Sequence, residues 1–271
     1  MIIKTSRQIT LALLATVAVA ATQPARAVSL DLTGALTGGT INDAFFTRTE
    51  VGSTGTGTIN SFVRLQDNGT EDGYNASARP VMSDVNNSPQ FTRDLQLSAV
   101  PLLTNPQTLT GQYYEFLLDI NQSASNPLLS LDALDIYTRT APLATANTLA
   151  ALTGSGAVVR YSLDAGPAGD SEILLNYNFG SGSGSGDLFA YIPVSFFGSA
   201  LPSDYVYLYS MFGAKGGAYA ANAGFEEWAV RTAPNGGGNG EVPGVPDGGA
   251  TVTLLGMSLV ALAFLRRRAR A

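Results

Sequence analysis

The chain of 271 residues contains neither histidine nor cysteine. Without cysteine it forms no disulfide, offers no thiolate nucleophile and has no sulfur ligand for a metal. Without histidine it lacks the usual general base of serine hydrolases and the commonest zinc ligand. The chemistry left for catalysis is that of paired carboxylates or of a lysine base, and Lys215 is the only lysine beyond Lys4.

Basic residues are scarce in the middle of the chain. All 21 acidic residues lie between Val28 and Asp247 with only 8 basic ones, so this span has a net charge of −13 where the whole chain has −6. Nucleic-acid binding needs lysine and arginine to neutralise phosphates, so nucleic acid is not an expected partner. An acidic surface suits solubility or cation binding.

Long amphipathic helices are nearly missing, and only residues 142–152 resemble a short helix. Strand-like segments separated by Gly, Pro, Asn and Asp recur instead. They number about nine: Ile59–Leu65, Phe91–Ala99, Tyr113–Asp119, Ser130–Thr138, Ala157–Leu163, Ile173–Phe179, Leu188–Phe196, Tyr205–Phe212 and Phe225–Arg231. This pattern predicts an all-β fold, an antiparallel β-sandwich or jelly-roll-like domain.

Two local features of this domain carry expectations of their own. Alternation in the segment 205–212 places Tyr205, Tyr207 and Tyr209 on one face, which is either a wet sheet surface or an aromatic platform. The Gly/Ser stretch 180–186 favours neither strand nor helix, and it predicts a flexible hairpin loop.

The N-terminus reads as a secretory signal peptide over residues 1–27. Lys4 and Arg7 precede an apolar stretch over 9–21, and Ala25 and Ala27 form an A-x-A cleavage site. About 13 helical residues reach only about 20 Å, too short for a bilayer span. We therefore expect export and a mature chain that starts at Val28.

The C-terminus has three consecutive parts. A Gly/Pro linker covers 233–249, an uncharged segment covers 250–265, and a basic tail covers 266–271. The segment 250–265 is long enough for about 24 Å of helix, and this predicts a short transmembrane helix. The tail, with Arg266, Arg267 and Arg268, stops transfer and stays cytoplasmic by the positive-inside rule.

Val245-Pro246-Asp247-Gly248-Gly249, the apolar segment and the arginines together resemble a PEP-CTERM sorting signal in its VPDSG-like variant. Asp247 stands where the motif usually has Glu, and Gly248 where it has Pro or Ser. The resemblance implies processing by an exosortase-type enzyme in the bacterial envelope. The order of segments within 28–232 also resembles one group of uncharacterised PEP-CTERM proteins, which implies one continuous domain and no particular activity.

Four polar residues are the candidate metal ligands of the domain. Asp119 and Asn121 end a predicted strand at alternate positions, and Glu226 and Glu227 begin the last one. Asp119, Asn121 and one of the two glutamates offer the oxygen atoms that Ca²⁺ prefers. The alternative reading of Asp119 and Asn121 is an Asx-turn that caps the strand.

These observations favour a non-enzymatic structural or adhesive protein of the cell envelope or extracellular matrix, either membrane-anchored or released after C-terminal processing. No cofactor other than Ca²⁺ is expected. A carbohydrate- or Ca²⁺-binding β-sandwich module is the alternative, with extracellular polysaccharide as a partner. A glycoside-active enzyme with two carboxylates is the third reading.

Overall fold

The computed structural model describes residues 27–48, 59–165, 169–180, 186–222 and 224–231. This part of the chain contains sixteen strands, one α-helix and four 3-10 helices. The strands are β1 (Ser29–Asp31), β2 (Gly38–Ile41), β3 (Ala44–Arg48), β4 (Ile59–Leu65), β5 (Asn68–Gly69), β6 (Glu71–Tyr74), β7 (Leu95–Gln96), β8 (Leu102–Thr104), β9 (Gln112–Asp119), β10 (Leu128–Arg139), β11 (Val158–Ser162), β12 (Glu172–Asn176), β13 (Leu188–Pro193), β14 (Tyr205–Phe212), β15 (Ala221–Asn222) and β16 (Glu226–Arg231). Helix α1 spans Leu149–Thr153, and the 3-10 helices span Leu97–Ala99, Tyr177–Phe179, Val194–Phe197 and Gly217–Tyr219.

Most strands belong to two seven-stranded sheets. The first sheet has the order β1-β12-β10-β14-β6, with β11 beside β10 and β7 beside β14. The second has the order β2-β3-β13-β9-β16-β4, with β8 beside β9. Strands β5 and β15 form a small separate sheet. Every pairing is antiparallel except that of β1 with β12. The expectation of an all-β antiparallel protein is confirmed.

One hydrophobic core receives side chains from both sheets. Strand β14 shows how the alternation builds it: Val206, Leu208 and Phe212 enter the core, while the tyrosines between them point away. Trp228, the only tryptophan of the chain, enters the same core from the second sheet and is fully buried. Each inward aliphatic side chain contributes about 1.5–3 kcal/mol, so this shared core is the main source of stability.

The sequence predicted the longer strands well. The segments 59–65 and 205–212 are strands with the predicted bounds. In the segment 91–99 only two residues are strand, because the amides of Phe91 and Thr92 bond to the Ser88 carbonyl in a turn. The short helix forms only over its last turn, where the Thr148 hydroxyl caps it by accepting from Ala151 N.

Two predictions about the fold were wrong. The part of the chain that the structure describes has sixteen strands where about nine were predicted, because several strands have only two to five residues and show no alternation that a sequence window can detect. The Gly/Ser stretch 180–186 does not close a hairpin, since the strands on either side of it, β12 and β13, belong to different sheets.

No helix within the described residues has the length and apolar character needed to cross a bilayer. Of the predicted cleavage site, the structure describes only Ala27, which is exposed and precedes β1. The rest of the signal peptide, the linker, the membrane segment 250–265 and the arginine tail lie outside the described residues.

Candidate functional site

The candidate metal ligands meet where the end of β9 lies beside the start of β16. The two strands pair antiparallel in the second sheet, and Glu227 is the register partner of Asp119. Both residues are buried, with 4 % and 2 % of their surface exposed. The strand pairing therefore brings together residues that are more than a hundred positions apart in sequence.

Glu227 is bound by an arginine. The Arg64 Nη2 lies 3.1 and 3.0 Å from the two carboxylate oxygens of Glu227. The same guanidinium lies between two aromatic rings, 3.4 Å from the centroid of Phe91 and 4.2 Å from that of Phe225. A charge-assisted contact of this kind neutralises the buried carboxylate, so Glu227 serves the packing of β4 against β16.

Glu226 points to the opposite face, as alternation predicted, and is 1 % exposed. Its Oε1 accepts a hydrogen bond from Gln122 Nε2 at 3.0 Å, and its carboxylate also accepts from the backbone N–H of Asn121. The carboxyl group of Glu71, in β6 of the first sheet, lies near that of Glu226, and the oxygens Glu71 Oε1 and Glu226 Oε2 are buried without a hydrogen-bond donor. Asn121 thus contributes a backbone donor to this site.

A further buried carboxyl, Asp187, precedes β13. Its Oδ2 accepts from the backbone N–H of Ile120 at 2.8 Å. Burial raises the pKa of Asp187 to about 9, and the nearby charges of Asp119 and Glu226 act in the same direction. At neutral pH this carboxyl is therefore protonated.

The geometry does not gather these acids around one point. Within the described residues, no group of three or more acidic side chains is arranged so that it could hold a metal ion. Glu226 and Glu227 lie on opposite faces of β16, so one ion cannot contact both. The Ca²⁺ site at Asp119, Asn121 and one of the glutamates stays a prediction.

The tyrosines of β14 share one face, as predicted, but Tyr207 and Tyr209 are covered. They lie in a second cluster with Tyr74, Tyr137, Leu143 and Leu152, and they are 0 % and 7 % exposed. The Tyr207 hydroxyl accepts from Leu143 N at 2.9 Å, and the Tyr209 hydroxyl donates to Asp72 at 3.0 Å. Tyr207 thus holds the loop that contains Leu143 against the first sheet, and Tyr209 is tied to the neighbouring strand β6, so the two rings do not form an open aromatic platform.

Sequence reasoning missed Glu71, Gln122 and Asp187. Glu71 lies beside Asp72 in a four-residue strand, and Asp187 follows the Gly/Ser stretch, so neither belongs to a recognisable pattern. Gln122 could have been found from the sequence, because it directly follows the candidate ligand Asn121 in the loop after β9.

Comparison with known protein families adds one match, at the C-terminus. Residues 244–269 match the family model described as VPDSG-CTERM motif. The chain carries a PEP-CTERM-like sorting signal. This VPDSG-CTERM signal implies processing by an exosortase-type enzyme and is consistent with an exported, envelope-associated protein. Neither the curated proteins nor the solved structures contain a match.

Proposed function

We propose that this chain is a non-enzymatic structural or adhesive protein of the bacterial envelope or extracellular matrix. The observation that carries the proposal is the sorting signal at residues 244–269, since signals of this class direct proteins to the envelope. In this proposal an exosortase-type enzyme acts at the motif and the apolar segment 250–265 holds the chain in the membrane until then. The domain ahead of it is a jelly-roll-like β-sandwich exposed outside the cytoplasm.

The use of polar side chains inside the domain supports a structural role. Glu227 is neutralised by Arg64, and Glu115 forms hydrogen bonds with Arg231, in each case across paired or neighbouring strands of the second sheet. The Tyr207 hydroxyl binds the backbone N–H of Leu143 in a covering loop, and the Tyr209 hydroxyl binds Asp72 in the neighbouring strand β6. These carboxylates and tyrosines stabilise the interior of the domain. Catalysis or glycan stacking would need such side chains on an accessible surface.

Sorting is tested on the full chain in a host that has an exosortase-type enzyme. Mass spectrometry of the mature protein should find the peptide 266–271 missing, and the triple variant Val245→Ala, Pro246→Ala, Asp247→Ala should retain it. The matched control is Val242→Ala, Pro243→Ala, which changes the linker just ahead of the matched residues. Equal processing of both variants would disprove recognition through the motif.

The non-enzymatic role is tested separately. The secreted full-chain product is incubated with polysaccharides isolated from the host, and soluble sugar fragments are measured. We expect no fragments from the native chain, and retention on isolated envelopes or matrix instead. Release of fragments that stops in Glu226→Gln or Glu227→Gln would replace the proposal with a carboxylate-based glycosidase.

A further inference from the structure

An open cleft lies where β10 ends, beside the start of β11. It has a volume of about 180 Å³. Pockets that enclose a whole small molecule are larger, at ~300–1,000 Å³. Two arginines, three hydroxyl side chains and one acid form its polar lining: Arg139, Arg160, Thr138, Thr140, Ser155 and Asp204. A cleft of this size and lining suits a single charged group presented by a larger ligand.

A β-bulge brings Arg160 to this cleft. The register between β10 and β11 shifts here, so Arg160 is an extra residue between Val159 and Tyr161 with no partner in β10. A bulge gives its extra residue a side-chain direction that regular alternation does not allow. The Arg160 Nε donates to the Thr138 hydroxyl at 2.6 Å, and among the described residues its two Nη atoms have no acceptor. One edge of the guanidinium is thus fixed and the other is available.

Arg139 is held at the same cleft by backbone carbonyls. Its Nη1 donates to Ala141 O at 2.5 Å and to Pro142 O at 2.6 Å, and its Nε donates to Ser155 O at 3.2 Å. These acceptors are neutral, as is the Thr138 hydroxyl that holds the other arginine. They therefore fix both guanidinium groups without cancelling their positive charge.

The protein supplies little negative charge to balance the two arginines. Three ion pairs occur within the described residues, and neither Arg139 nor Arg160 belongs to one. Asp204, the one acid of the lining, uses its Oδ2 to accept from the backbone N–H of Leu201 at 3.0 Å. Two arginines and one aspartate give the lining a net charge of +1, within a span that carries −13. A local positive site on an acidic domain favours an anionic ligand.

We propose that this cleft binds a carboxylate group of an acidic polysaccharide built from uronic acids. The planar guanidinium fork matches the two oxygens of a carboxylate. The Thr140 hydroxyl makes no hydrogen bond among the described residues and is a further donor. The rest of the sugar unit lies at the open mouth, beside the half-exposed Val158. This inference rests on the adhesive role proposed above and gives the class of polymer to which the domain attaches.

The test is isothermal titration calorimetry of the full chain, purified in detergent, with trigalacturonate as the probe. We expect binding that weakens as the salt concentration is raised, because the contact is between charges. Arg160→Gln should lower the affinity about tenfold or more, the loss expected of a hydrogen bond to a charged group. Arg93→Gln makes the same change of charge outside the cleft and should alter the affinity less than about twofold. Fluorescence of the buried Trp228 checks that each variant is folded.

A second pair of variants leaves both arginines in place. Val158→Asp puts a negative charge at the mouth of the cleft, and Val159→Asp puts the same charge on the adjacent residue, which does not line it. The two valines are 50 % and 54 % exposed, so neither change disturbs the core. We expect Val158→Asp to weaken binding and Val159→Asp to leave it nearly unchanged.

Several outcomes would overturn the proposal. They are no binding of trigalacturonate, equal binding of neutral galactose, and equal losses in Arg160→Gln and Arg93→Gln. Acetate or polyglutamate bound as tightly as trigalacturonate would overturn it too, since the cleft would then serve free carboxylates or acidic proteins. If the native chain is retained on isolated matrix but does not bind trigalacturonate, this site is disproved and the structural role stands. Binding without retention would support the site and count against the structural role.

Discussion

The indole Nε1 of Trp228 donates a hydrogen bond to the hydroxyl Oγ of Ser210 at 3.1 Å, and both residues are buried. Trp228 lies in β16 of the second sheet and Ser210 in β14 of the first, so this bond crosses the core. Alternation along β14 explains the serine: position 210 falls on the inward side, between Leu208 and Phe212. A hydroxyl is tolerated there because the indole N–H needs an acceptor.

Removal of this acceptor should destabilise the domain. Ser210→Ala leaves the indole N–H buried without a partner, and we expect a loss of about 1–3 kcal/mol in the free energy of unfolding. Urea titration measures the loss. Ser203→Ala, at an exposed position beside the same strand, is the control and should change stability by no more than about 0.5 kcal/mol. Equal midpoints for the two variants would contradict the role of the cross-core bond.

Arg64 should be among the residues most sensitive to substitution. Arg64→Ala leaves Glu227 buried without its counter-charge and removes the contacts with Phe91 and Phe225, so we expect a loss of about 3–5 kcal/mol. Arg64→Lys keeps the charge but loses the planar stacking on the rings. Its free energy of unfolding should lie between those of the native chain and Arg64→Ala. Lys215→Ala breaks a solvent-exposed pair with Glu172 and should change the midpoint little. Similar midpoints for Arg64→Ala and Lys215→Ala would count against this account.

The close approach of two chain segments at Gly224 yields another prediction. A Cβ on Gly224 would lie 1.5 Å from the carbonyl oxygen of Asn121, a backbone atom that cannot move aside cheaply. Gly224→Ala should therefore cost about 3 kcal/mol or more by forcing the loop after β9 away from β16. Gly34→Ala, where a Cβ would meet nothing within 4 Å, is the matched control. Thermal melting compares the two, and unchanged melting of Gly224→Ala would refute the prediction.

Asp187 should make the stability of the domain depend on pH. Since burial raises its pKa to about 9 from 3.8, the folded state keeps a proton that the unfolded state has lost at neutral pH. Between pH 3.8 and about 9 the stability should therefore fall as the pH rises. The equilibrium constant of unfolding should increase about tenfold per pH unit in this range. In Asp187→Asn the amide oxygen still accepts from Ile120 N, so we expect higher stability than the native chain at about pH 8. Lower stability of this variant at that pH would show that Asp187 is ionised in the fold.

The sequence predicted what depends on local periodicity. The two-residue period of β14 assigned its tyrosines to one face, and the same rule placed Glu226 and Glu227 on opposite faces of β16. It could not show what lies against those faces. The covering of Tyr207 and the pairing of Glu227 with Arg64 arise from contacts between segments 64 to 163 residues apart.

The acid pair lay beyond sequence reasoning for the same reason. Glu71 and Glu226 are 155 positions apart and belong to different sheets, so their contact depends on how the sheets pack. The acids Glu71 and Asp72 of the short strand β6 match no motif. Only the fold shows that the Glu71 side chain is enclosed and that it meets another acid.

The position of β16 within the second sheet has a consequence for the timing of export. This strand is the last in the described chain, yet it lies between β9 and β4 rather than at an edge. A chain threaded outward from its N-terminus therefore cannot complete this sheet until Arg231 has emerged. In the export proposed above, this sheet therefore closes only after almost the whole domain has crossed the membrane, so the strands that leave first wait for their last neighbour.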